Sequence, residues 1–377
     1  MTNSVQHLDT VIVGGGQAGL ATGYHLARRD RSFVILDAHE RIGDAWRTRW
    51  DSLRLFTPAR RDGLPGMRFP APKPSFPSKD DMADYLETYA RRFELPVRTG
   101  IRVDGLGRAN GRFIVAAGDE RFEADNVVIA TGAFQAPDTP DFAPELDPGI
   151  RRMHAEDYRN GSQLRPGPVL VVGAGNSGAD IALDLASERE IWLSGEHPGH
   201  LPINTVGLSG RLIFPLLWQF WTHVLNLDTP IGRKVRDKVL TEPEPLIRVK
   251  PKHLDAAGVK RVPRTVGVRD GLPLLDDGRV LDVPNIIWAT GYRNAYNWLD
   301  LPVLDGERAE PKTVRGVVES EPGLYFVGRP FLYAFNSHTI GGVGKDARFI
   351  VDHLCARVPA PAALEGVGAP APAALTA

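Results

Sequence analysis

Three features of the sequence predict an α/β chain in which one nucleotide-binding unit is inserted into another. The first is Val11-Ile-Val-Gly-Gly-Gly-Gln-Ala-Gly19, a short apolar strand running into a G-x-G-x-x-G turn at Gly14, Gly16 and Gly19 and then a helical stretch, Leu20–Ala27. The second is its repeat, Gly167-Pro-Val-Leu-Val-Val-Gly173-Ala-Gly175-Asn-Ser177-Gly178, which leads into a helix from Ala179 to about Ser187 and a strand, Glu190–Leu193. The third is a pair of strands ending in Ala-Thr-Gly, residues 125–132 and 284–291, one after each turn. Strand, glycine turn and helix, twice over, read as two Rossmann-like dinucleotide-binding domains. A further strand, residues 321–328, and the Gly-rich stretch Ile340-Gly-Gly-Val-Gly344 with its helix to about Leu354 follow the second copy. The second domain is therefore predicted to be inserted in the first: residues 1–150 with 300–355 form one, residues 151–299 the other, and the Pro/Ala-rich stretch 356–377 reads as a mobile tail.

Each glycine of the turn has a physical task. Gly14 permits the tight turn, Gly16 lets a pyrophosphate approach the backbone, and Gly19 lets helix and strand pack closely. The helix N-terminus adds free N–H groups and a positive dipole end. A second strand, Phe33–Leu36, ends on Asp37, about 20 residues on, where a ribose hydroxyl is gripped. Gly173, Gly175, Asn176, Ser177 and Gly178 are expected to cradle the second nucleotide's phosphates, with Asn176 and Ser177 as N-caps the plainer alternative. An added methyl at Gly14 or Gly175 is expected to block the phosphates.

Between the motifs, Gly43 to Pro58 is a mostly apolar connection, read either as a wall against a flat ring system or as core packing under a loop. Residues 61–78 form an irregular Pro/Gly loop. Ser78 caps a helix to about Phe93 with Met82, Tyr85, Leu86 and Tyr89 on one face. Short strands are expected around 97–103 and 113–116. The run Leu212–Leu225, with Trp218, Phe220 and Trp221, reads as core or a homodimer interface ahead of a substrate-side lid or membrane-surface contact. The bases around Arg248–His253 and Lys260-Arg261 read as a solvated face.

Composition narrows the classes. The 377 residues are 42% hydrophobic and 24% charged with a net charge of -1, which is globular and carries no polybasic footprint for nucleic acid. A single cysteine, Cys355, excludes an intrachain disulfide framework and a redox Cys pair, and fits a reducing compartment. The first strand begins near Thr10 and no apolar run is long enough to span a bilayer, so no leader or transmembrane segment and a cytoplasmic location are expected.

The chain resembles the flavin-containing monooxygenases, nearest the plant indole-pyruvate branch and its bacterial relatives. The resemblance rests on Gly14–Gly19, Gly43-x-x-Trp46, Trp50-Asp-Ser-Leu-Arg-Leu-x-Thr57-Pro58, Phe76-Pro-Ser-Lys79, Gly173–Gly178, Ala289-Thr-Gly-Tyr292 and Gly342-Val-Gly-x-Asp346-Ala, in the family's order along nearly the whole chain. A linker signature, Phe-x-Gly-x-x-x-His-x-x-x-Tyr, is matched at His154 and Tyr158 but not at Pro148 and Ile150, and Tyr158 stands where Baeyer–Villiger relatives have Trp.

The resemblance implies FAD in the first domain and NADP in the second, with NAD as the alternative, and a small organic substrate and O2 as partners. It implies transfer of one oxygen atom through a flavin C4a-hydroperoxide. An NAD(P)H-dependent flavin reductase or oxidase serving a quinone, a redox partner or O2 is the alternative class. Trp46 and Thr57 are then expected to line the flavin and Gly344 to supply backbone at its pyrimidine edge. No Arg or Lys follows the 190–193 strand locally, so Ser194 is expected to donate to the second nucleotide's ribose end, unless Glu196 favours a free hydroxyl or a distant Arg swings in.

Overall fold

The computed structural model describes residues 6–72, 75–201, 208–242 and 244–357; the expected tail beyond 357 lies outside the described residues. The chain opens with β1 (Gln6–Val13), α1 (Gln17–Ala27) and β2 (Phe33–Leu36). β1 pairs in parallel with β2, Val11 opposite Val34 and Val13 opposite Leu36. A parallel strand covered on both faces reads as a continuous apolar run, and β2 is buried at every position. The two-residue side-chain period then divides the core. Ile12 and Ile35 face one cluster, whereas Val11, Val13 and Leu36 face another.

Next come α2 (Asp44–Arg47) and α3 (Lys79–Arg92). Ser78 and Asp81 form a reciprocal capping box at the start of α3. The predicted stripe Met82, Tyr85, Leu86 and Tyr89 is buried against the first core. β3 (Val97–Arg98) is shorter than expected, and β4 (Gly105–Ala109), β5 (Arg112–Ala117) and the long β6 (Glu120–Ile129) make an antiparallel meander whose last strand returns to pair with β1.

The chain then leaves this sheet. β7 (Ala136–Pro137) is followed by β8 (Arg151–His154), β9 (Val169–Val172), α4 (Asn176–Leu185) and β10 (Ile191–Ser194). Two long helices follow, α5 (Leu208–His223) and α6 (Pro230–Thr241), then α7 (Pro251–Ala256) and β11 (Lys260–Val262). A hairpin of β12 (Thr265–Arg269) and β13 (Leu272–Leu275) leads to β14 (Asn285–Trp288). The second sheet is parallel throughout, in the order β11-β10-β9-β14-β8. The aromatic run falls on α5, where Phe214, Trp218 and Trp221 build a satellite core with Leu225 and Phe331.

β15 (Tyr292–Arg293) pairs back onto β7, and a small ladder of β16 (Leu304–Asp305) and β17 (Glu310–Pro311) follows. β18 (Leu324–Phe326) then re-enters the first sheet in parallel beside β6, and α8 (Ile340–Ala356) packs on α1. The strands of the second sheet thus lie, in sequence, between strands of the first. Both helices after a glycine turn begin earlier than periodicity predicts, at Gln17 and Asn176, because Gly16 and Gly175 are themselves the N-caps.

A β-carbon on Gly178 would sit 1.8 Å from the Gly173 carbonyl oxygen, while one on Gly175 would meet nothing within 4 Å. Gly178→Ala is therefore expected to cost about 3 kcal/mol or more in chemical denaturation, against about 1 kcal/mol or less for Gly175→Ala. Equal costs for the two would contradict the direct contact of α4 with the preceding turn.

Candidate functional site

The three glycines of the first turn are spent in three different ways. Gly14 has φ +109°, a left-handed value that side chains rarely adopt, and a β-carbon there would lie 2.6 Å from the Ala130 carbonyl oxygen. One on Gly19 would lie 1.9 Å from the Gly14 oxygen. One on Gly16 would meet nothing within 4 Å. The open position stands at the N-terminus of α1, whose first amides lack intrahelical acceptors. Free amides beside an uncovered backbone are donors that fit a phosphate group. The expected effect of a methyl at Gly14 is corrected: it would strike the Ala130 strand end before it met any ligand, so Gly16 is the position that faces the open space.

Asp37 follows β2 and is buried beside this turn. It accepts from the Gly15 amide at 2.5 Å, the His39 amide at 2.8 Å and His39 Nδ1 at 2.9 Å. Burial works against its charge, but the His39 and Gly15 hydrogen bonds outweigh it and hold the carboxyl below the usual range.

The second turn repeats the geometry. Gly173 has φ +107° and is closed by the Ala289 carbonyl at 2.3 Å, Gly178 is closed by Gly173, and Gly175 is open. Ala289 and Ala130 come from the two Ala-Thr-Gly strand ends, so each of those strands backs a glycine turn. The N-cap is Gly175, which corrects the capping alternative for Asn176 and Ser177. The Asn176 side chain instead ties α4 to the loop before α7, donating to the Pro245 carbonyl at 3.3 Å and accepting from the Ile247 amide at 3.1 Å. Ser177 is half-buried in the first turn of α4.

Two expected donors are placed elsewhere. Ser194 is fully buried; its hydroxyl donates to the Pro263 carbonyl at 2.9 Å, accepts from the Thr265 amide at 2.9 Å and meets the Thr265 hydroxyl at 2.8 Å. It fastens β10 to the link between β11 and β12 and does not reach outward. The exposed groups at this strand end are Glu196 and Arg264, paired at 3.3 Å. Gly344 lies in the second turn of α8, not in a loop ahead of it. A β-carbon there would press on Pro65 at 2.5 Å, and its carbonyl accepts from His25 Nε2 at 3.2 Å. Gly341 and Gly342 likewise clear the Arg61 and Asn336 carbonyls. These glycines let α8 settle on the 61–65 loop, and the first-turn amides without an intrahelical acceptor belong to Ile340 and Gly341.

The connection from Trp46 to Trp50 spans the two units. Trp46 is half-buried against the first core, while Trp50 is buried in the core around β9 and α4, so core packing is the observed role of Trp50. Between them, Arg49 donates to the Tyr292 hydroxyl at 2.5 Å and lies 5.7 Å from the Phe134 ring. His154 Nε2 donates to the Gly291 carbonyl at 3.0 Å, and burial lowers its pKa. Tyr158 is buried with its hydroxyl on Asp184 at 3.3 Å. Among the described residues no cluster of His, Cys, Asp and Glu is arranged for a metal.

Thr57 is buried and donates to Asp62 Oδ1. Asp62 is fully buried, its Oδ2 has no hydrogen-bond partner in the protein, and burial pushes its pKa up to about 7 against the single Thr57 bond. Its one sequence signal is an acid in a Pro/Gly loop five residues after Thr57, and the motifs do not single out Asp62, Arg49 or Arg264. A carboxyl raised from 3.8 to about 7 makes the folded state hold a proton the unfolded chain has released, so stability falls as pH rises from about 4 to about 7 and is level above. Asp62→Asn is expected to remove that slope, gaining a few kcal/mol (order of magnitude) at pH 8 relative to pH 4 in denaturant titrations. An unchanged slope would place the carboxyl in a solvated site.

Residues 11–195 match the family described as pyridine nucleotide-disulphide oxidoreductase. An uncharacterized CzcO-like oxidoreductase of Geobacillus kaustophilus is 39% identical over 93% of this chain and 99% of its own. A probable indole-3-pyruvate monooxygenase of Arabidopsis thaliana, YUCCA7, is 31% identical over 91% of this chain and 86% of its own. Among solved structures, a flavin-containing monooxygenase from Stenotrophomonas maltophilia matches with a TM-score of 0.76 at 27% identity, covering 93% of this chain and 99% of that one. OTEMO, in a complex with FAD and NADP, shares the fold at a TM-score of 0.67 and 16% identity, over 93% of this chain and 86% of that one. With relatives of this identity along almost its full length, the chain belongs to the flavin-containing monooxygenase family and is a flavin-dependent oxidoreductase with two dinucleotide-binding domains.

Proposed function

We propose that the chain binds FAD at the Gly14–Gly19 turn and a nicotinamide nucleotide at the Gly173–Gly178 turn, and that it transfers one atom of O2 to a small organic substrate. The division into 1–150 with 300–355 for FAD and 151–299 for the nicotinamide nucleotide belongs to this reading. The observation that carries it is the doubled cradle: in each turn the outer glycines are closed by backbone and the middle one, Gly16 or Gly175, faces open space. When bound, the flavin supplies the redox chemistry, taking hydride from the nicotinamide and passing electrons to O2.

The chain's own residues bind, orient and exclude. Asp37, ionised and fixed by His39, meets the adenosine ribose. Trp46 and Thr57 flank the flavin, with the Ile340 and Gly341 amides taking the role first expected of Gly344. Asp62 holds a proton beside Thr57 near neutral pH, where a buried acid can take and return it. In this reading Arg264 is the cation that meets a 2′-phosphate, since Ser194 is occupied; Glu196, its present partner, is the group that favours a free hydroxyl.

Gly16→Ala is expected to give a folded protein of near wild-type melting temperature that purifies without yellow colour. Gly175→Ala is expected to stay yellow and to slow flavin reduction about tenfold or more. Full flavin stoichiometry in the first variant, or wild-type reduction in the second, would move the corresponding site. Arg264→Glu is expected to raise the KM for NADPH roughly tenfold and leave that for NADH nearly unchanged; an equal loss for both would separate Arg264 from coenzyme choice. Peroxide released one-to-one with NAD(P)H, whatever substrate is offered, would replace oxygen transfer with a reductase or oxidase reading.

A further inference from the structure

α5 carries large apolar side chains on opposite sides, yet only one side of it is covered. Phe214, Trp218 and Trp221 are buried in the satellite core, and Trp218 lies under the Arg61 guanidinium at 5.3 Å. On the opposite side Ile213, Leu216 and Phe220 are 41%, 71% and 44% exposed. Their spacing of three and four residues puts them on one face. A helix on a protein surface ordinarily turns polar residues outward, and between Ile213 and His223 this face offers only Gln219 and His223 among the described residues.

The next helix supplies a second, independent feature. α6 carries Arg233, Lys234, Arg236 and Lys238 against one acid, Asp237, and all five are exposed. Lys238 pairs with Glu242 at 3.4 Å, but Lys234 and Arg236 have no acidic partner among the described residues. Ile231 and Leu240 on the same helix are exposed at 56% and 39%. In a chain whose net charge is -1, this is a local excess of unpaired cations beside uncovered large apolar side chains.

We infer that the outer face of α5 together with the cations of α6 docks the protein on an anionic lipid surface. Ile213, Leu216 and Phe220 enter the boundary between headgroups and acyl chains, and Lys234 and Arg236 meet lipid phosphates. Among the described residues no helix is long and apolar enough to cross a membrane, so the contact is one-sided. A second copy of the chain is the weaker occupant: in a two-fold contact the same patch meets itself, which brings the unpaired cations of one α6 toward those of the other. Docking does not depend on what the glycine cradles bind.

The test is vesicle flotation of the full chain, as purified with its flavin, on phosphatidylcholine vesicles with and without phosphatidylglycerol, at low and high salt. Binding is expected only with phosphatidylglycerol and is expected to weaken with salt. Leu216→Glu and the pair Lys234→Glu with Arg236→Glu, all at exposed positions, are each expected to reduce the bound fraction about tenfold or more, with unchanged melting temperature and flavin content. No flotation of the wild type on anionic vesicles, or flotation of both variants at the wild-type level, would overturn the inference. So would a wild-type dimer in light scattering that Leu216→Glu converts to monomer, because it would give this face to a second copy.

Discussion

The architecture depends on missing β-carbons. Helix α1 lies so close to the end of β1 that a methyl on Gly19 would fall 1.9 Å from the Gly14 oxygen, far inside contact distance, and α4 stands in the same relation to Gly173. That contact fixes where each helix begins. It aims the free amides of the first turn at the space beside Gly16 or Gly175, and it brings the ends of β6 and β14 up behind the turn through Ala130 and Ala289. An uncovered run of backbone amides is thus a by-product of packing: once helix and strand touch through hydrogen alone, the backbone between them has no side chain to cover it.

The same device recurs, with a different outcome, in α8. Its three glycines also permit close approach, but to the carbonyls of Arg61 and Asn336 and to the ring of Pro65. They join the last helix to the loop that carries Thr57 and Asp62. At Gly16 and Gly175 the missing side chain leaves open space, whereas here it leaves room for the protein itself. The distinction lies in what stands opposite each Cα, which is a property of the fold.

The two units are joined by short, specific contacts. Trp46 and Trp50 enter different cores four residues apart, Asp51 bonds Arg159 and Asn160, and the two-residue ladder of β7 and β15 crosses back. Arg49 sits in this seam against Tyr292 and Phe134. Contacts of this kind join the two units without a shared sheet.

Local chemistry is legible along the chain. The duplicated glycine spacing, the Ala-Thr-Gly strand ends and the Ser78 cap are each settled within a dozen residues, because turn geometry and capping involve neighbours in the chain. The order of those motifs was enough to identify the family. Tertiary structure decided the rest. Ser194 and Thr265, Gly344 and His25, and Glu196 and Arg264 are joined across tens or hundreds of residues. Whether a hydroxyl is occupied or available, or a carboxyl such as Asp62 is stripped of water, is set by what folds over it, and no spacing along one chain carries that.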